Sequence, residues 1–210
     1  WAISSQHTLL AGLRADYHAQ HGVILSPRIN HKWTVSEKTI LRAGLGRGFR
    51  VVNVFSEDHA ALTGARQVVI AESLNPEQSY NINLHWQQHI HTDAVHILLD
   101  ASAFHTNFSN KIIPDYLTND NQVIYRNLIG RAVSQGLSLN TSVEWRFPLT
   151  MNLGITYLDA FQEQANNNGK EKLPIIQTPK YSANWAMSYQ WQAPAISVDL
   201  TGNYTSSMLM

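Results

Sequence analysis

Cysteine is absent from the 210 residues, so disulfide frameworks, thiolate nucleophiles and cysteine-held metals drop out at once. Charge is scarce as well. Asp, Glu, Lys and Arg make up 14% of the chain, against roughly 25% in an ordinary soluble domain. The 15 basic residues are balanced by 15 acidic ones, which leaves no net field to gather nucleic acid, and none is expected as a partner. The apolar fraction is an ordinary 44%, yet no run approaches the ~18 apolar residues of a membrane-spanning helix. The opening WAISSQHTLLAGLRADYH has neither a basic n-region nor a cleavage site, so the expectation is a cytosolic protein or a piece of something longer.

What is present is alternation, with 6 Trp and 8 Tyr to decorate it. In TILRAGLGRGFR, Thr39, Leu41, Ala43 and Leu45 share one parity, while Arg42, Gly44, Gly46, Gly48 and Arg50 share the other. A period of two marks a strand whose faces meet different surroundings. In QSYNINLHWQQ, Tyr80, Ile82, Leu84 and Trp86 oppose Asn81, Asn83 and His85. Seven further stretches read the same way: about His7–His18, Ser26–Val35, Asp93–Thr106, Val123–Arg146, Met151–Tyr157, Tyr181–Trp191 and Ile196 onward. The first half of the Val123–Arg146 stretch alternates poorly, and a bulge near Ser134–Gly136 accounts for that. About nine strands result, and no helical period competes.

The connections alternate too. Links at Ser36–Lys38, Gln88–Thr92, Phe147–Leu149 and Ala193–Pro194 are short; those at Val51–Glu77, Asn107–Gln122 and Gln162–Pro179 are long and polar. Short turns at one end and long loops at the other are the habit of outer-membrane barrels, whose tilted strands need ~9–11 residues to cross. Soluble strands average ~5–6. Aromatics crowd the apolar parity near strand ends, as interfacial girdles do. The opposite parity is Asn, Ser, Thr, Gln, Gly and Arg, with few of the lysines and glutamates that guard soluble edges. The fold expected is therefore all-β: an antiparallel up-and-down meander, part of a larger transmembrane β-barrel, apolar toward lipid and polar toward the lumen.

GLGRGFRVVNVFSED followed by ESLNPEQSYNINLHW resembles the paired signature of TonB-dependent outer-membrane receptors. There, a strand ending in Gly-Phe-Arg (here Gly48, Phe49, Arg50) is followed by a long extracellular loop. The next strand opens on Leu-x-Pro-Glu-x-Ser, here Leu74, Asn75, Pro76, Glu77 and Ser79. LRADYHAQHGVILSPRINHKW, FSNKIIPDYLTNDNQVIYRN, PKYSANWAMSYQW and ISVDLTGNYTSSM resemble its other strands, in the family's order and across essentially the whole chain. Val51, Val52 and Asn53 depart from the small residue and proline usual after Gly-Phe-Arg, and FSED replaces a more usual Glu-Leu-Tyr.

The resemblance implies residues 1–210 are a partial barrel domain, with the plug domain and terminal strands absent. It implies a bilayer setting in the cell outer membrane and coupling to the TonB complex through a plug not in this chain. It further implies uptake of a scarce nutrient, a metal chelate or other small molecule: a ferric siderophore first, cobalamin or haem next. A transporter is expected, not an enzyme, with no cofactor and no metal site of its own. Candidate ligand-facing residues at the extracellular mouth are His18, Arg28, Arg50, His59, Arg66 and Tyr116. Candidate plug-facing residues on the lumenal parity are Arg14, Arg42, Gly44, Gly46, Gly48, Asn81 and Asn83. The three glycines either let a plug backbone approach the wall or relieve strain where the barrel bends.

Other chemistry is thinly supported. Gly44-x-Gly46-x-Gly48 is no phosphate cradle, since no helix follows. Of the 10 histidines, His85 stands alone on its strand's polar face, and His89 and His91 fall in a short turn, so a solvated role is expected. Asp115, Asn119 and Asp120 lack the spacing of a calcium loop, and no serine sits in a nucleophile elbow. The alternative from a different class is a soluble secreted β-sandwich binding carbohydrate through surface aromatics.

Overall fold

The computed structural model describes residues 1–52, 66–115, 118–119, 121–166, 169–191, 193 and 195–209. Its strands are β1 (His7–His18), β2 (Gly22–Ser36), β3 (Thr39–Arg50), β4 (Gln67–Ile70), β5 (Glu77–His91), β6 (Val95–Asn110) and β7 (Ile112–Asp115). They continue with β8 (Gln122–Asn127), β9 (Gly130–Trp145), β10 (Leu149–Asn166), β11 (Gly169–Pro174), β12 (Tyr181–Trp191) and β13 (Ile196–Thr205). One sheet takes the order β1-β2-β3-β5-β6-β9-β10-β12-β13, with β11 folded back on β10. Every neighbouring pair in it is antiparallel. This is the expected nine-strand meander, with β1 and β13 as its two edges. A sandwich would need a second sheet packed on the first, and the long strands run through one.

Register settles which residues share a face. Leu41 lies beside Trp86, Ala43 beside Leu84 and Leu45 beside Ile82; in the alternate rows Arg42 meets His85, Gly44 meets Asn83 and Gly46 meets Asn81. The apolar face is bare: Leu84 is 54% exposed and Leu45 52%. Water does not tolerate so broad an apolar face, whereas lipid does.

Two aromatic belts bound that face. Trp33, Trp145 and Trp191 stand near the short-turn ends of β2, β9 and β12, where Trp145 packs on Phe147 and Tyr189 on Trp191. Tyr17, Tyr80, Tyr157, Tyr181 and Tyr204 stand toward the opposite ends, and Tyr157 packs on Tyr181. The hydrogen-bonded row through Trp33 reaches β12 at Ala183, eight residues short of Trp191. Setting both tryptophans at one interface therefore tilts the strands by about 40°, given a rise of ~3.3 Å per residue and ~4.8 Å between strands, as spanning barrels require.

Several expectations are corrected. Residues 123–146 are not one bulged strand. They are β8 and β9, separated at Leu128–Ile129, with β8 in a different sheet. Gly130 restarts the ladder with φ +148°, and a Cβ there would meet the backbone carbonyl of Glu163. β2 begins at Gly22 rather than Ser26, because the unbroken Val23-Ile24-Leu25 run hides its alternation while Ile24 is buried and its neighbours are exposed. His89 and His91 belong to β5, not to a turn. The long links also carry structure of their own. β4, β8 and β7 form a three-stranded cap in which β4 and β8 are parallel. Its core is Ile112, Val123 and Tyr125, packed by Val52, Val68 and Leu74.

Candidate functional site

The two halves of the sequence signature meet at the base of the cap. Arg50 closes β3 and Glu77 opens β5, opposite each other in register. Arg50 Nε donates to Glu77 Oε2 at 2.8 Å, and Nη2 lies 2.8 Å from the same oxygen. The other carboxylate oxygen accepts the backbone N–H of Ile112, the first residue of β7, at 3.0 Å. Glu77 is buried at 6% exposure, and a carboxylate is buried only when paired and hydrogen-bonded. Beside it, burial holds Lys111 below the usual ammonium range; Glu77 opposes that shift and Arg50 adds to it.

Asparagines complete the joint. Asn110 Nδ2 donates to the carbonyls of Asn75 and Pro76, both at 3.1 Å. Asn127 Nδ2 donates to the carbonyl of Ser73 at 2.9 Å, and its backbone N–H donates to Glu72 Oε1 at 2.6 Å. The cap is thereby fastened to the long-loop end of the wall. Of the predicted mouth residues, Arg66 immediately precedes β4, and His18 ends β1 with its ring stacked on His21 at 4.8 Å. Arg28 lies on the lumenal parity of β2, its Nε over Gly12. His59 and Tyr116 lie outside the described residues.

Down the wall, the lumenal face carries polar rows. His85 is not alone, contrary to expectation. Its Nε2 lies 2.7 Å from both oxygens of Asp100 on β6, and its Nδ1 3.0 Å from Arg42 Nη1 on β3. A guanidinium only donates, so the imidazole accepts at Nδ1 and donates at Nε2. Arg42 also donates to Gln87 at 3.2 Å. Arg14 is engaged by Asp16 at 2.7 Å.

The room above the glycines is taken by cross-strand polar groups. A Cβ at Gly44 would stand 2.6 Å from Asn30 Oδ1, one at Gly46 3.1 Å from Asn81 Oδ1, and one at Gly48 3.1 Å from Ser79 Oγ. Gly154 repeats the arrangement between Asn140 and Asn184. The glycines thus let amides lie flat along the wall, presenting uncharged donors and acceptors to the lumen; Asn83 donates to Asn81 at 3.4 Å. Asn30, Asp100, Asn140, Gly154 and Asn184 are residues that sequence reading passed over. Asn and Gly on one parity of successive strands was the signal for four of them. Among the described residues no three His, Asp or Glu side chains converge on a metal position. Asp115 is engaged by Thr118 and Arg126.

An open meander with a bare apolar face between aromatic belts, a polar inner wall and a cap over the long-loop end is the architecture of an outer-membrane barrel segment. The chain belongs to the TonB dependent receptor-like β-barrel family, whose model matches residues 1–208, and it is an outer-membrane protein of the Gram-negative type. It is 24% identical over 212 aligned positions to the ferric enterobactin receptor PirA of Pseudomonas aeruginosa, covering 92% of this chain and 27% of PirA. The chain thus spans about a quarter of that curated relative.

Solved structures of similar fold include the siderophore receptor PirA from Pseudomonas aeruginosa (TM-score 0.73, 23% identity, 98% of this chain and 35% of that one). The FrpB iron transporter from Neisseria meningitidis follows (TM-score 0.68, 16% identity, 96% and 30%). A mutant of the ferric enterobactin receptor PfeA from Pseudomonas aeruginosa, in complex with enterobactin, is similar at TM-score 0.67 and 22% identity, covering 97% and 31%.

Proposed function

We propose that this chain is a partial barrel domain, contributing wall and part of the mouth to a longer receptor that takes up a ferric siderophore. The receptor would be energised by the TonB complex through a plug domain outside this chain. It is a transporter in this reading, without catalysis. The observation that carries it is the division of labour along the wall: a capped polar mouth at the long-loop end, and below it a polar face of amides over glycines with the Arg42–His85–Asp100 row among them. The names of the relatives, ferric enterobactin and siderophore receptors among them, favour an iron chelate over cobalamin or haem.

In this reading His18, Arg28, Arg50, His59, Arg66 and Tyr116 border the ligand funnel. Arg14, Arg42, Gly44, Gly46, Gly48, Asn81 and Asn83 face the plug. An anionic chelate would draw on the cationic members most. The test is uptake of radio-iron as ferric enterobactin by the full-length receptor, expressed in a strain stripped of its own siderophore receptors, with cobalamin and haem as parallel arms. Shortening the Val51–Glu77 connection to a few residues is expected to abolish iron uptake while surface assembly persists. Unchanged transport would reduce that loop to a connection.

A further inference from the structure

On the lipid-facing parity, at the level of the tryptophan belt, sits a pair of histidines that the transport reading does not use. His7 Nδ1 and His31 Nε2 are 3.0 Å apart, the rings stack at 5.2 Å, and His7 stacks on Trp33 at 5.6 Å. Their outward facing follows from register, since His7 lies beside Trp33 and His31 beside Leu9. The shared bond leaves His7 Nε2 and His31 Nδ1 without a protein partner among the described residues. Two unpartnered ring nitrogens at the edge of the hydrocarbon are costly unless a polar group meets them there.

The same histidine opens onto a groove. A cleft of about 790 Å³ runs from His31 and Trp33 across the outer face to Tyr157. Its floor is low because Ala43, Ala101 and Ala103 alternate with Leu84, Trp86 and Leu137 on adjacent strands of the same cross-strand rows. The volume lies within the ~300–1,000 Å³ of ordinary ligand clefts. The lining is mostly apolar, bordered also by Arg42, His85, Ser102 and Ser138 of the other parity, with Tyr157 at one end and His31 at the end nearer the short-turn, periplasmic interface.

We propose that this groove holds one phospholipid of the periplasmic leaflet, its phosphate at His7 and His31 and an acyl chain over the alanine floor. A phosphate oxygen accepts from the one outward N–H that two neutral rings sharing a bond retain, the other outward nitrogen accepts from a headgroup hydroxyl or ammonium, and Trp33 packs at headgroup depth as interfacial tryptophans do. The site depends on the membrane placement of the sheet and not on the nutrient carried, so its test is independent of transport.

The full-length receptor is extracted in mild detergent, gel-filtered, and its retained lipid quantified by mass spectrometry. Compared with it are His31→Leu, Ala103→Leu and, outside the groove, Val198→Leu; all three keep the outer face lipid-compatible, so assembly is expected to be normal. Retained phospholipid should fall at least fivefold in the first two and stay unchanged in the third. Equal retention in all, retention of lipopolysaccharide alone, or a dimer that Ala103→Leu dissociates would overturn the proposal. In a second arm the delipidated receptor is given short-chain phosphatidylglycerol or inorganic phosphate. A rise in Tm with the lipid only supports the site. The same rise with phosphate alone shows a bare anion site and overturns it.

Discussion

Arg50 and Glu77 sit directly opposite each other across β3 and β5, 2.8 Å apart, and their environments are unequal: the arginine side chain is 59% exposed and the glutamate 7%. The pair is also the hinge between two sheets, because Glu77 holds the first N–H of the cap strand β7.

That inequality orders two mutants. Glu77→Ala strands the buried Ile112 N–H and takes the opposing charge from Lys111, while the Arg50 side chain is already 59% exposed. A buried donor left unsatisfied costs about 1–3 kcal/mol. Arg50→Ala leaves the buried carboxylate with Ile112 and the nearby ammonium but without its paired cation, and a buried charge deprived of its partner costs about 3–5 kcal/mol. Hydrogen exchange at Ile112 and Gln122–Asn127 in the full-length receptor should show lost protection in both variants, the greater for Arg50→Ala. Full protection in Glu77→Ala would remove Glu77 as the keystone.

Facing makes a second contrast. Leu84→Arg puts a charge on the lipid side near mid-height of β5 and should cost about 2–4 kcal/mol of assembly. Asn83→Arg, one residue away on the lumenal side, should assemble nearly normally. Heat-modifiable mobility on gels separates folded from unfolded barrel; matched yields would mean that Leu84 does not face lipid.

Two glycines should respond very differently to alanine. At Gly44 the obstructing atom is the end of the Asn30 side chain, which can swing aside, so less than about 1 kcal/mol is expected. At Gly130 the obstruction is the Glu163 backbone and φ is +148°, adding about 1–3 kcal/mol of conformational strain to the clash. Urea-dependent refolding into detergent would measure both, and an innocuous Gly130→Ala would show that the β8–β9 break does not depend on it.

Lys111 sets a pH dependence. Burial lowers its folded pKa below the ordinary value of 10.5, so protonation is weaker in the folded cap than in the unfolded chain. The resulting destabilisation is fully present below the folded pKa and is relieved as pH rises through it toward the unfolded value. The cap should therefore resist proteolysis better near pH 10 than at pH 8 relative to a Lys111→Met variant, which lacks the titration. Parallel pH profiles for the two would assign the effect elsewhere.

The limits of sequence reading show at particular residues. β1 and β3 were legible to their last residues because a half-polar strand writes its two faces directly into parity. The 123–146 stretch was not, since β8 and β9 are both strands and only their partners differ: parallel β4 for one, β6 and β10 for the other. Asp100 was passed over because its partner His85 is distant in sequence, and register alone brings them together.

Local alternation determined that this chain is strand-built and which side of each strand is apolar, because each follows from neighbours one and two residues apart. Tertiary structure decided how far each strand slides against the next. That offset gives the tilt of the two belts, seats amides over glycines, and joins Arg50 to Glu77 beneath a cap assembled from two separate connections. Pairing across the sheet depends on hydrogen bonds between residues tens of positions apart, and no local period encodes them.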